Sequence, residues 1–351
     1  MIGISLMLYD LAKLTGVFDG EQPESNLDLI DMSLTGRARG PLVNFIVREM
    51  ACCYGDVDRV RFEEVNKIRE RALDLLKEGS LLEEACENIE ENKGHCYRAS
   101  SGEEVARIVG DLVGEGKTVV KSFSWTVEES KLGERLRESN VVLDTAFPKA
   151  LYHLRVDNGD LRNLIESMGV RIGEGDVLAS LGALYRDALY RADVGITGVR
   201  AVAADPGAMT FLPDSGIDRL VTMTPEIHVI VAGIEEVVST YMEAFLVTEF
   251  ASKYGKMDFS FLGVVGGPSK TGDIEKRVTY GAHGPREFHV ILLDDGRSEA
   301  LDDDKLRVAL TCIRVSKLPC FDTWGLWRRI VGLGDEVYGG VRGEGRCPLL
   351  T

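Results

Sequence analysis

The sequence predicts an α/β protein in which an open sheet, mixed and mainly parallel, carries helices on both faces and follows a helical segment. From about residue 96, short runs rich in Val and Ile alternate with amphipathic helical patterns, which is typical of βαβ units. Before residue 95, apolar residues recur at the three- and four-residue spacing of helices. We therefore divide the chain into a helical N-terminal region 1–95, an α/β domain 96–300 and a degenerate C-terminal tail 301–351.

Composition and charge restrict the function classes open to the chain. Hydrophobic residues make up 44% and charged residues 28% of the 351 residues, which indicates a folded globular protein. The formal net charge of −16 argues against non-specific binding to nucleic acid or an anionic membrane, and it is equally typical of a salty cytoplasm. No apolar run reaches the ~18 residues of a membrane-spanning helix, and Met1–Asp10 lacks the basic start of a signal peptide. We expect a cytoplasmic protein without membrane insertion.

The N-terminal region contains two predicted helices. Over residues 58–79, apolar side chains from Phe62 to Leu76 form one stripe, with charged side chains between them. Ser80 starts a second helix, which continues through Ile89.

The first part of the α/β domain alternates between helix and strand. Two capping boxes, each a hydroxyl residue followed three positions later by Glu, start helices at Ser101 and Thr126. Short apolar strands are predicted at 118–121 and 141–143.

The second part of the domain is denser in strands. Tight turns between short apolar runs indicate that the sheet is mixed there. The predicted strands are 201–204, 209–212, 220–223, 228–232, 261–265 and 288–293. Helices are predicted at about 235–253 and, less regularly, at 273–277.

Asp205 is the first candidate catalytic residue. In Asp205-Pro206-Gly207 it presents a carboxylate just past a strand, where it could act as an acid, base or nucleophile. The same tripeptide is also typical of an ordinary turn, in which Asp caps backbone amides and Gly supplies a positive φ.

Lys270 and Thr271 are candidate ligand-binding residues. They end the run Gly266-Gly-Pro-Ser-Lys-Thr271, whose amides, cation and hydroxyls suit a phosphate or a carboxylate. The run is not a Walker A loop, because Ser269 stands where that loop needs Gly. A purely structural turn fits equally well.

The most polar loop near a core strand is Gly281–Glu287. His283 could transfer protons, and Arg286 could hold a carboxylate through two hydrogen bonds. Alternatively, Arg286 pairs with a carboxylate near it in sequence, Glu287 or Asp273.

Three further basic residues lie in or after apolar runs. Lys121 ends the strand 118–121 and either lines the same cleft or lies on the surface beside a helix start. His228 and His289 lie within apolar runs, so we predict that they are core histidines.

The cysteines do not form a recognisable metal or disulfide pattern. The chain has 7 of them at irregular spacing, without CxxC, and it also lacks HExxH and a complete GxGxxG after a strand. We expect mainly buried or free thiols, no metal site, and no iron–sulfur cluster on Cys312, Cys320 and Cys347. The sequence does not identify a cofactor.

Several phrases resemble signatures of the LUD family, the lactate utilisation proteins. They are Ile196-Thr-Gly198, Arg219–His228, Gly233-Ile-Glu235, Gly267–Thr271 and His283–His289. Val119–Glu129 and Gly94-His-Cys96 resemble in particular the larger, LutB-like iron–sulfur type. The resemblance covers about residues 60–315.

The resemblance implies a fold similar to the NagB/RpiA/CoA-transferase class and a role in oxidising L-lactate within a multi-protein system. The chain departs from it in two places. Cys312-Ile-Arg-Val315 keeps only the first cysteine of the family's Cys-Ile-Arg-Cys, and Asp205-Pro-Gly207 replaces a Glu-Thr-Gly turn. We expect a protein that binds a small anionic metabolite at strand ends, whether or not it catalyses a reaction. Alternatively, it is a non-catalytic subunit or scaffold that docks onto a redox-protein partner.

Overall fold

A computed structural model describes residues 59–145, 162, 177–213, 216–254, 261–272, 277–303, 307 and 310–311. The cysteines of the tail, nearly all of the tail itself and four of the five residues of the predicted helix 273–277 lie outside these residues. Among the described residues, no helix is long and apolar enough to cross a bilayer.

Two helices precede the sheet, as predicted. They are α1 (Arg59–Glu78) and α2 (Ser80–Glu91), joined at Gly79 with a φ of 87°. On α2 the apolar positions Leu81, Ala85 and Ile89 are buried completely or almost so. The sequence therefore predicted both helices, and the structure shows which face α2 buries.

The centre of the molecule is a six-stranded sheet in which every neighbouring pair is parallel. Its strands are β1 (His95–Ala99), β2 (Thr118–Lys121), β3 (Val141–Asp144), β4 (Val194–Thr197), β7 (Ile227–Gly233) and β12 (Glu287–Leu293). Their order across the sheet is β1-β12-β7-β4-β2-β3. The first and last strands in sequence are therefore neighbours.

The remaining strands form two smaller sheets. The four-stranded one runs β8-β5-β6-β9 and is mixed, with β5 parallel to β8 and antiparallel to β6. Its strands are β5 (Ala201–Asp205), β6 (Ala208–Phe211), β8 (Val237–Thr240) and β9 (Gly263–Val265). A two-stranded ribbon pairs β10 (Lys270–Thr271) with β11 (Thr279–Tyr280). The prediction of a mainly parallel, partly mixed α/β architecture is confirmed.

Helices and the mixed sheet cover the two faces of the parallel sheet. The later helices are α3 (Gly102–Val113), α4 (Trp125–Glu129), α5 (Leu132–Leu136), α6 (Val177–Tyr190), α7 (Gly216–Val221), α8 (Tyr241–Tyr254) and α9 (Arg297–Leu301). One face, including Val119 and Ile291, packs with α3, α4 and α5. The other face, including Ile230 and Val290, shares a core with α1, α2, α8 and the mixed sheet.

Two predicted elements and one predicted helix cap are wrong. Residues 220–223 are not a strand, because α7 runs through Val221 and the Thr224 hydroxyl donates to the Leu220 carbonyl. Residues 237–240 are strand β8 rather than the start of a long helix, as their β-branched side chains favour. Helix α8 begins later, at a Thr240–Glu243 capping pair. The Thr126–Glu129 pair does not cap α4, because both side chains contact distant residues.

Strands β1 and β4 have no counterpart among the predicted strands. The prediction of mainly free or buried cysteines is also wrong for one pair. Cys86 of α2 and Cys96 of β1 form a disulfide, whereas the irregular spacing predicted mainly free or buried thiols. The two residues are brought together because α2 turns back directly into β1.

Candidate functional site

The parallel sheet separates the predicted site residues between its two edges. All six strands begin at one edge, the amino edge, and end at the other, the carboxyl edge. Lys121 is the last residue of β2, whereas His283 and Arg286 precede the first residue of β12. The structure therefore does not bring Lys121 together with them in one cleft.

Lys121 is buried at the carboxyl edge, with its side chain 2% exposed. It forms ion pairs with Glu128 of α4 and with Asp144, the last residue of β3. Burial lowers the pKa of the ammonium, but the charges of Asp144 and Glu128 outweigh this and leave the pKa above its ordinary value. Burial raises the pKa of the Glu128 carboxyl. The fold itself thus neutralises Lys121, which is not a surface residue.

Arg297, at the start of α9, is the second cation at the carboxyl edge. It is completely buried, and its Nη2 lies 2.5 Å from Oε1 of Glu129. Its Nε pairs with Glu235, which lies two residues after the end of β7. Burial lowers the pKa of the guanidinium, and the two carboxylates more than compensate, so the pKa stays above its ordinary value.

Short polar contacts fasten α4 to the ends of the parallel strands. The Thr126 hydroxyl donates to Glu236 at 3.3 Å, and the same carboxylate accepts from the Gly233 amide at 2.8 Å. A Cβ on Gly198 would lie 1.9 Å from the Ser124 hydroxyl oxygen, so the chain before α4 packs directly on the residue after β4.

The charge balance at the carboxyl edge is negative. Three cations, Lys121, Arg297 and Arg137, whose charge also acts on Glu128, face a larger set of carboxylates, namely Glu128, Glu129, Asp144, Glu235 and Glu236. An anion placed here would replace an internal carboxylate and meet the others. Among the described residues, the carboxyl edge is therefore a set of satisfied ion pairs, less suited to an anion than the amino edge.

The other predicted ligand-binding residues share one loop at the amino edge, the basic loop (residues 269–272 and 277–286). The Ser269 amide donates to the Pro285 carbonyl at 2.8 Å, and the Gly281 amide donates to the Ser269 carbonyl at 3.0 Å. The His283 amide donates to the Ser269 hydroxyl at 3.2 Å. These bonds and the β10–β11 pairing bring Lys270, Thr271, His283 and Arg286 into one neighbourhood.

The cations of the basic loop are exposed. Within the ranges that the structure describes, no carboxylate lies within 4.0 Å of Lys270, Arg277 or Arg286 in an ion pair. The predicted alternative, a pair between Arg286 and Glu287, is accordingly not formed, and Asp273 lies outside the described residues. Lys270 and Thr271 form a short strand rather than a helix start.

Asp205 lies on the mixed sheet, at the turn between β5 and β6. A cis peptide bond joins it to Pro206, and Gly207 has a φ of 74°. The Asn92 side chain donates to the Pro206 carbonyl at 2.7 Å, and a Cβ on Gly267 would lie 2.8 Å from the Asn92 carbonyl oxygen. The end of α2 therefore holds the exposed Asp205 turn next to the segment that enters the basic loop.

His228 and His289 are buried, as predicted. The Nε2 atom of His228 lies 2.9 Å from the Thr197 hydroxyl, and burial together with the nearby His289 lowers its pKa to about 3. His289 lies beside Tyr97 of β1, with 3.2 Å between Nδ1 and the phenol oxygen.

The described part of the chain shows no cluster of metal ligands, and one surface groove lies away from the predicted site. There, no group of three or more His, Cys, Asp or Glu side chains is placed to hold a metal ion. A surface groove of about 520 Å³ lies between α3 and α5 and includes Arg107, Arg135 and Asn140. It contains none of the predicted site residues.

Comparison with known proteins assigns the family. Residues 82–293, more than half of the chain, match the LUD domain. The chain belongs to the LUD-domain family. The match begins within α2 and ends with the last residue of β12, so this LUD domain includes both edges of the parallel sheet.

Several relatives carry names that refer to lactate. Lactate utilization protein B of Bacillus licheniformis is 28% identical over 81% of this chain and 62% of its own length. The Bacillus subtilis protein of the same name is 26% identical over 81% of this chain and 61% of its own length. YkgF of Escherichia coli K12, named an uncharacterized electron transport protein, is 28% identical over 81% of this chain and 62% of its own length. The chain thus spans about three fifths of these relatives.

One solved structure resembles this chain weakly. A DUF162-family protein from Deinococcus radiodurans covers 61% of this chain and 97% of its own, with 16% identity and a TM-score of 0.34.

Three charged residues of the carboxyl edge, Glu129, Glu235 and Arg297, were not among the predicted site residues. Glu129 and Glu235 end two of the quoted signature phrases, and Arg297 follows the last strand by four residues. For Glu235 and Arg297, a charged residue within four positions of the end of an apolar strand was the available signal. It was missed because Glu129 also fits a capping box and Glu235 also fits a helix start.

Proposed function

We propose that this LUD-domain protein binds a small anionic metabolite, a carboxylate or a phosphate, at the basic loop. One observation carries the proposal: Lys270, Arg277 and Arg286 are exposed without a carboxylate partner among the described residues. These three residues form a local group of positive charges in a chain whose net charge is −16.

Each candidate site residue has a stated position in this proposal. Arg286 binds the carboxylate or phosphate through two parallel hydrogen bonds, and Lys270 adds a point charge. Thr271 donates a hydroxyl, while His283 and Asp205 are the candidate acid–base groups. Lys121, at the opposite edge, does not contact the ligand.

The hydrogen bonds of the loop support a preformed site. The Arg286 amide donates to the Glu226 carbonyl at 2.7 Å, which fixes the backbone of that cation to the start of β7. A fixed backbone lowers the entropy lost when a ligand orders the loop.

Lactate and pyruvate are the first ligands to test, because several relatives are named lactate utilization protein B. Calorimetric titration with lactate, pyruvate and inorganic phosphate should show saturable binding of at least one of them. Arg286→Ala should weaken that binding about 10- to 100-fold, because a hydrogen bond to a charged group contributes about 1.5–3 kcal/mol.

The matched control is Arg107→Ala, which removes an exposed arginine of α3 remote from the basic loop. It should leave the affinity unchanged. Absence of heat with all three anions, or equal affinities in the two variants, would contradict the proposal.

A second candidate function is a non-catalytic subunit or scaffold of a redox complex. At Cys312-Ile-Arg-Val315, the chain keeps only the first of the four closely spaced cysteines that LutB-like proteins have. We therefore propose that it carries no iron–sulfur cluster of its own, which favours this second function. Anaerobic purification from native cells should then give a colourless, iron-free protein together with a stoichiometric redox partner. We propose that this complex lies in the cytoplasm. Iron bound in stoichiometric amount would overturn this candidate.

A further inference from the structure

The Cys86–Cys96 disulfide closes the corner where α2 turns back into β1. The two cysteines are 10 positions apart in the sequence, and Cys96 is the second residue of β1. Both side chains are partly exposed, and both pack against the core that α2 shares with the mixed sheet. The bond therefore lies at the border between this core and the solvent.

The backbone inside this disulfide loop is tightly folded and contains one strained residue. The Lys93 amide donates to the Glu90 carbonyl, and the Gly94 amide donates to the Ile89 carbonyl, both at 2.9 Å. Lys93 has a φ of 69°, in the left-handed region that is unfavourable for a residue with a Cβ. A Cβ on Gly94 would lie 2.9 Å from a ring carbon of Phe288, so the corner packs directly on β12. The disulfide thus closes a short loop in which one residue keeps an unfavourable conformation.

The end of α2 also holds the turn between β5 and β6. The Asn88 side chain donates to the Ala204 carbonyl at 2.9 Å, and the Asn92 side chain donates to the Pro206 carbonyl at 2.7 Å. A Cβ on Gly207 would lie 2.6 Å from the Asn88 carbonyl carbon, so the two backbones are in direct contact. A change in the rigidity of the end of α2 therefore reaches this turn.

We propose that Cys86 and Cys96 form a reversible thiol–disulfide switch that sets the rigidity of the α2–β1 corner. In the cytoplasm that the sequence predicts, thiol systems keep most cysteines reduced, and the disulfides found there are usually catalytic or redox-sensing. The oxidised pair ties α2 to β1 covalently, whereas the reduced pair leaves the corner to its packing and hydrogen bonds. The switch concerns the redox state of the chain itself and does not depend on anion binding.

The switch opens by exchange with a dithiol, such as the reduced cysteine pair of a redox protein. A thiolate of the dithiol attacks one sulfur of the Cys86–Cys96 bond, which breaks as a mixed disulfide forms. The second thiol of the reductant then attacks the mixed disulfide and releases the cysteine. In sum, two electrons and two protons pass to Cys86 and Cys96, and the reductant becomes a disulfide. The reverse exchange with an oxidised partner closes the bond.

Thiol alkylation and amide hydrogen exchange of the full chain test the switch. The folded protein is treated with oxidised glutathione, then with dithiothreitol, and alkylated after each step, with each modified cysteine located by mass spectrometry. Cys86 and Cys96 should be protected after oxidation and both alkylated after reduction.

Amide exchange should differ between the two forms. In the segments 86–94 and 204–207 it should be about 10- to 100-fold faster in the reduced protein, because the opened loop regains chain entropy. Helix α3, on the other face of the parallel sheet, is the internal control and should not change. The double variant Cys86→Ala, Cys96→Ala should exchange like the reduced protein with or without dithiothreitol, whereas Cys347→Ala should respond like the wild type.

The outcomes separate a switch from a fixed link and from free thiols. Reversible opening, with faster exchange at the corner and unchanged exchange in α3, supports the switch. Free thiols at both positions after oxidation overturn it, and so does a bond that dithiothreitol does not open in the folded protein. Equal exchange in the oxidised and reduced forms also overturns it. The comparison of the two wild-type forms needs no substitution, so a variant that fails to fold leaves the test intact.

Discussion

Arg297 and Arg286 differ in whether the fold places a carboxylate beside them. Arg297 is completely buried, and one of its carboxylates, Glu129, is 168 residues away in the sequence. Arg286 is exposed and has no carboxylate partner among the described residues. Sequence alone shows two arginines beside the same strand, because their difference depends on contacts between distant segments.

His228 should make the protein less stable in mild acid. Its pKa is about 3 in the folded protein and about 6.5 when unfolded, so the unfolded state binds more protons between these values. Stability that is complete above about pH 6.5 is lost as the pH falls toward 3, by about 2–3 kcal/mol at pH 4.5. Urea unfolding of the wild-type protein and of His228→Gln at pH 7 and 4.5 measures this contribution.

The exposed His283 provides the control for this measurement. His283→Gln should lose as much stability in acid as the wild-type protein, whereas His228→Gln should lose less. Equal losses in all three proteins would show that His228 is not responsible.

Helix α4 is held mainly by contacts with residues that are distant in the sequence. It is a five-residue helix, and its Thr126, Glu128 and Glu129 contact the ends of β7, β2 and the start of α9. The capping-box pattern predicted a helix here correctly, but it assigned two of these side chains to local capping. Tertiary contacts replaced that role because buried carboxylates gain more from a charged partner than from a backbone amide.

Gly198→Ala should displace α4 from the sheet. The added methyl group would lie 1.9 Å from the Ser124 hydroxyl oxygen, so we expect a loss of about 1–3 kcal/mol in the free energy of unfolding. Ser124→Gly in the same chain should recover part of the loss. Chemical denaturation of the single and double variants measures the coupling.

Gly110 gives the opposite expectation for the same substitution. It lies within α3, and a Cβ there would meet nothing within 4 Å. Gly110→Ala should therefore stabilise the protein by about 0.5–1 kcal/mol. A similar change in both glycine variants would contradict the close contact at Gly198.

At the scale of the whole molecule, the two main sheets and the N-terminal helices share one core. Leu81 of α2, Val202 of the mixed sheet and Val290 of the parallel sheet belong to the same buried cluster. The predicted boundary between residues 95 and 96 therefore passes through a common core, although the division into regions remains a prediction.

The described part of the chain should accordingly unfold in one transition. Calorimetric and van't Hoff enthalpies should agree, and Leu81→Ala should lower the stability of the whole unit by about 2–5 kcal/mol. Met242→Ala, at a side chain that is 62% exposed, should change it by less than about 0.5 kcal/mol. Two separate transitions, of which Leu81→Ala shifts only one, would show independent units.

The sequence by itself determined the α/β class, the LUD family, several helices and four of the six strands of the parallel sheet (β2, β3, β7 and β12), because these depend on local periodicity and short motifs. It also showed that Lys270, His283 and Arg286 lie close together, since one loop contains them. Only the tertiary structure decided that Lys121 lies at the opposite edge, that Arg297 is neutralised, and that His289 meets Tyr97. The physical reason is the strand order β1-β12-β7-β4-β2-β3, in which neighbours are chosen by packing and hydrogen bonding rather than by sequence.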